Sequence, residues 1–119
     1  MLEDELLRRF VVGGFERLTG DELLALSERL EETTSATGEA APLVLSEAIK
    51  AVYALFREHD EHGGVSLDFI RYLDKLAVLQ LPKICASEPP EAARLARDFR
   101  DELYALVSEY DPAKPFGLG

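Results

Sequence analysis

The segment from Ser87 to Tyr110, SEPPEAARLARDFRDELYALVSEY, constrains this chain most. Ala92, Leu95, Ala96, Phe99, Leu103, Leu106, Val107 and Tyr110 recur at steps of three and four, which sets them on one stripe of an α-helix. The opposite face is charged. A helix with one greasy stripe is stable only against other elements that cover it, so the segment demands a packed partner surface. Pro89 and Pro90 suit the first turn, where their missing N–H groups go unused, and Ser87 is the expected N-cap.

The same pattern recurs upstream. Leu2, Leu6, Leu7, Phe10 and Val11 share a face over about Leu2–Val12, with Glu3, Asp4 and Glu5 at the positive end of the helix dipole. Gly13-Gly14 breaks that helix, and Phe15 and Leu18 form one further apolar turn. Thr19-Gly-Asp-Glu22 has capping-box spacing and opens a second helix running to about Glu32, with Leu23, Leu26 and Leu30 inward. Thr33–Ala41 is small and polar and reads as a loop. Pro42 starts a third helix, which runs to about His62 with Leu45, Ala48, Ile49, Val52, Tyr53 and Phe56 on its core face. Gly63-Gly64 stops it.

Ser66 is the expected N-cap of a fourth helix whose inner stripe is Phe69, Ile70, Leu73, Leu76, Ala77 and Leu81. Val78 and Leu79 lie off this stripe, so the middle of the helix is apolar nearly all round. A helix of that kind is central in its bundle or covered by a second chain. Pro82 lacks the N–H that an interior position needs and is expected to kink or end the helix near Val78–Leu81, with Lys83–Ala86 adding a last turn.

Composition narrows the function classes. The net charge of −10 is uneven, −8 over residues 1–64 and −2 over 65–119, and it repels nucleic acid and anionic lipid at long range. Arg94, Arg97 and Arg100 would make a basic stripe, but Asp98, Asp101 and Glu102 are interleaved with them, and Arg94–Asp98 and Arg97–Asp101 are spaced to pair. A single cysteine, Cys85, excludes an internal disulfide and a cysteine-cluster metal site; it reads as a buried structural thiol in a reducing, cytoplasmic setting. The N-terminus is acidic before it is apolar, the wrong order for an export signal. The longest near-continuous apolar run, Leu76–Leu81, is too short to cross a bilayer.

Reactive constellations are scarce. His59 and His62, three apart within Glu58–His62, could face one side and take a divalent metal; a histidine at a helix C-terminus is also favoured by the dipole alone. The stretch from His59 to Phe69 has acids and a glycine turn, but its glycines stand where calcium ligands belong and Asp68 closes the loop too early. Neither histidine has Glu three residues before it, as di-iron bundles require. Apart from tyrosine hydroxyls the inward stripes are apolar. No glycine-flanked serine elbow or phosphate-cradling loop is present.

These readings predict an all-α fold: an up-down bundle of four longer helices plus a short N-terminal one, with residues 1–110 as one domain and 111–119 as a non-helical tail in which Phe116 and Leu118 can dock on the core. The expected function is a non-catalytic protein–protein interaction module such as an adaptor, regulator, immunity-type inhibitor or assembly subunit. It needs no cofactor, metal or catalytic residue, and it meets another protein or a second copy of itself through Val78 and Leu79. The alternative is a metal-binding helical protein using His59 and His62.

Overall fold

The computed structural model describes residues 5–59 and 65–111. They form an all-α bundle: α1 (Glu5–Gly13), a 3₁₀ turn (Gly14–Arg17), α2 (Gly20–Thr37), α3 (Ala41–Glu58), α4 (Leu67–Ala86) and α5 (Pro89–Glu109). Helix α3 packs on α2 and α5, α5 packs on α4, and α1 with the 3₁₀ turn closes the bundle by resting on α4 and α2. The core is one cluster to which every element contributes. Phe10, Phe15 and Phe56 stack edge to face at its centre, with ring centroids 4.8 Å and 6.3 Å apart.

Local signals set most of the boundaries. Thr19 Oγ1 accepts the Glu22 N–H at 3.1 Å while Glu22 Oε1 accepts the Thr19 N–H at 3.0 Å, so the capping box forms as the spacing predicts. Those bonds, with Arg9 beside them, hold the Glu22 carboxyl below its usual range. Pro89 and Pro90 occupy the first turn of α5.

Several elements differ from the sequence reading. Helix α2 continues through Thr33–Thr37, where the Thr33 and Thr37 hydroxyls donate back to the carbonyls of Arg29 and Thr33 at 2.9 and 2.7 Å and so do not compete for the helical N–H groups. The stop is Gly38, at φ 77°, whose N–H reaches Thr34 O. Helix α3 ends at Glu58, with His59 as its C-cap. Ser87 does not cap α5: its hydroxyl donates to Lys83 O at 2.6 Å and finishes α4. Glu88 stands at the α5 N-cap with no side-chain bond, and the two prolines that follow leave few N–H groups there to satisfy. The Ser66 side chain makes no capping bond either. Its N–H donates instead to the Tyr110 hydroxyl at 2.9 Å, pinning the start of α4 to the end of α5.

Helix α4 runs unbroken through Pro82. Pro82 is exposed, so the Val78 carbonyl that it leaves unbonded lies on the watered side. Nor is α4 the central helix. Helix α3 buries the most residues, Ala41, Pro42, Val44, Leu45, Ser46, Ala48, Ile49, Val52, Leu55 and Phe56. The expected helical start at Leu2, the Gly63-Gly64 stop and the tail positions Phe116 and Leu118 lie outside the described residues.

Candidate functional site

The outward side of α4 groups several exposed apolar side chains on one helix. Its inward side carries Phe69, Ile70, Leu73, Ala77, Leu81 and Ile84, all buried. Lys75, Val78, Leu79, Pro82 and Lys83 follow at helical spacing on the other side, with Arg71 and Tyr72 one turn before them, and all are exposed. Val78 is 39% exposed, Tyr72 41% and Leu79 56%. Such exposed side chains are ordinary singly; grouped on two turns of one helix they make a patch. The structure therefore places Val78 and Leu79 together and leaves them uncovered.

Behind this face lies a group that periodicity did not reveal. Asp74 is buried, on a stripe otherwise read as apolar. Its Oδ1 accepts the Phe15 N–H at 2.6 Å, while Oδ2 has no partner among the described residues. Burial pushes the Asp74 carboxyl up to about 7, and the Glu16 carboxylate beside it adds to the effect against the Phe15 hydrogen bond. The approach is close because residue 14 is glycine: a Cβ there would stand 2.5 Å from Asp74 Oδ1. Asp74 thus fixes the 3₁₀ turn on α4. Ser27 and Ser46 are also buried; Ser27 bonds to Leu24 O at 2.7 Å and Ser46 to Glu31 Oε2 at 2.8 Å. Glu31 also receives Lys50, so α2 and α3 share a polar clasp that holds the Glu31 carboxyl below its usual range, chiefly through Lys50.

The His59 ring stands 5.4 Å from the Tyr110 ring, edge to face, and His62 lies outside the described residues. Among the described residues no three His, Cys, Asp or Glu side chains gather as metal ligands. Cys85 is exposed, not buried, at the edge of a shallow cleft that Pro42, Ile84 and Pro89 also line. Partial shielding pushes its thiol up from the ordinary value, opposite to what a nucleophile needs. The arginines of α5 are largely neutralised. Arg94 bridges Glu91 at 2.5 Å and Asp98 at 3.4 Å; Arg100 reaches Glu47 of α3 at 2.8 Å and takes Asp101, the partner expected for Arg97. No described helix is long and apolar enough to cross a membrane.

No protein-family model matches the chain, and comparison with curated proteins and with solved structures likewise finds no match.

Proposed function

We propose that this chain is a non-catalytic protein–protein interaction module that docks another protein, or a second copy of itself, on the outward face of α4. One observation carries the reading: Tyr72, Val78 and Leu79 stand exposed on a helix whose other side fully serves the core. Leaving a cluster of large apolar side chains in water forfeits stabilisation that a polar residue would not, and a binding partner removes that penalty. Exposed apolar and aromatic groups on a rigid helix also resemble the centres of protein interfaces, where a few such residues supply most of the binding energy.

The test is Leu79→Asp, compared with wild type by light scattering and by affinity capture from the native host with mass spectrometry. The wild type is expected to retain a protein, or to self-associate, and the variant to lose that association with an unchanged circular-dichroism spectrum. A variant that unfolds, or that keeps every associate of the wild type, sinks the reading.

A further inference from the structure

Resting on the proposed docking face, we infer that its occupant is an amphipathic helix of another protein whose apolar stripe is flanked by Asp and Glu. The charges around the patch select it. Arg71, Lys75 and Lys83 border Tyr72, Val78 and Leu79, and among the described residues none of the three cations joins an ion pair. Arg8, Arg9, Lys50, Arg94 and Arg100, by contrast, each sit on a carboxylate of their own chain. Asp68 is the lone surface carboxylate of α4, at its first turn; the other acid of the helix, Asp74, is buried against the 3₁₀ turn. In a protein of net charge −10, a helix face with three such cations around an apolar centre stands out from its surroundings.

Charge complementarity also decides against the other occupants. Two copies paired antiparallel about Leu79 would set Lys75 of one opposite Lys83 of the other, twice, and like charges so placed repel. Anionic lipid and nucleic acid spread their charge well beyond three cations, so most of it would face the negative excess of the rest of the chain. A partner helix carrying its own acids satisfies the cations locally. Across about three turns, its apolar residues can lie along the ridge of Tyr72, Val78 and Leu79, as helices pack on helices.

The experiment is selection from a displayed library of helix-forming peptides about 16 residues long, some 24 Å of helix, against the whole chain. Parallel selections use Leu79→Asp and the double variant Lys75→Glu, Lys83→Glu, each checked by circular dichroism for an intact fold. Wild type is expected to enrich peptides with an apolar stripe flanked by acids. Their affinity is expected to fall about tenfold or more with Leu79→Asp. It is expected to fall by a similar factor with the charge-reversed variant, which selects basic flanks instead. Enrichment of neutral or basic peptides on wild type, still lost with Leu79→Asp, overturns the acidic partner and leaves the docking face standing. Absence of any Leu79-dependent peptide overturns the helical partner; where light scattering and affinity capture also show no Leu79-dependent association, the docking face falls with it. Leu79-dependent self-association in light scattering, or Leu79-dependent sedimentation with phosphatidylcholine–phosphatidylglycerol vesicles, assigns the face to a second copy or to lipid and overturns the inference.

Discussion

The Asp74 carboxylate accepts the Phe15 N–H at 2.6 Å across 59 residues of sequence, and the bond exists only because residue 14 has no side chain. Gly14 sits at φ 75°, a left-handed conformation that side chains with a Cβ resist, and a Cβ there would press on Asp74 Oδ1, Cγ and Cβ at 2.5, 2.7 and 2.8 Å. Asp74 Cβ is fixed to its helix and cannot swing away. Gly14→Ala is therefore expected to destabilise the fold by roughly 2–4 kcal/mol, the backbone penalty plus the displaced hydrogen bond. Urea denaturation measures it; an unchanged midpoint would mean that the 3₁₀ turn is free to move off α4.

The same carboxylate makes stability depend on pH in an unusual direction. Folding raises the Asp74 pKa to about 7 from 3.8, so between these values the folded chain holds a proton that the unfolded chain has released. Stability is then highest below about pH 4 as far as this group is concerned, and declines as pH rises to about 7, by at most about 1.4 kcal/mol per pH unit. Glu22, Glu31 and Glu91 act in the opposite sense, but their lowered values confine that effect to more acid solution. Asp74→Asn keeps an acceptor for Phe15 and removes the titration. Its denaturation midpoint is expected to be flatter than that of wild type from about pH 5 to about pH 7.5. Parallel profiles for the two proteins would rule Asp74 out as the source.

The contrast between the elements that sequence marks and those that it hides has a physical basis. Helical periodicity exposes the inward stripes because burial is a property of a residue's own side chain and spacing, and Leu73, Ala77, Leu81, Phe99 and Leu103 all lie where that spacing puts them. The Thr19 capping box is similarly local. Asp74 is not: it looks like a surface acid until Phe15, on another element, supplies the N–H that lets it be buried. Long-range pairs such as Arg9 with Glu22, and Arg100 with Glu47, share that invisibility, since each needs two helices already placed. Thr33–Thr37 misleads for the opposite reason, because hydroxyls that favour loops also satisfy themselves inside a helix. Of the candidate site, Val78 and Leu79 are legible in the sequence as surplus. That Lys75 and Lys83 find no carboxylate among the described residues is not, since it depends on which acids the fold leaves within reach.

Two neighbouring leucines of α4 separate binding from folding. Leu79 is 56% exposed and Leu81 is fully buried, two residues along the same helix. Leu81→Ala leaves a cavity in the core and is expected to lower unfolding free energy by about 2–5 kcal/mol. Leu79→Ala is expected to change it by no more than about 0.5 kcal/mol, the usual range for a surface site. Thermal and urea denaturation of the pair provide the check. A large loss from Leu79→Ala would make it a core residue and remove it from any docking surface.

Pro82 is the residue of α4 whose presence folding explains least well. It occupies the interior of a 20-residue helix, where proline is about 3 kcal/mol less favourable than alanine, and it deprives the Val78 carbonyl of its helical donor. Exposure softens the penalty, because water can bond that carbonyl, and proline also restricts the unfolded chain. Pro82→Ala is accordingly expected to stabilise the protein by about 1–2 kcal/mol, less than the full helix-propensity difference. The substitution creates a backbone N–H at position 82 where wild type has none, and its amide exchange should show protection as it closes the bond to Val78. Because Pro82 lies on the outward stripe with Val78, Leu79 and Lys83, the substitution also removes apolar surface from the proposed docking face. A variant that is both more stable and weaker in peptide binding would show that Pro82 serves binding at the expense of folding; one that gains no stability would mean that the missing hydrogen bond to Val78 costs the folded helix little.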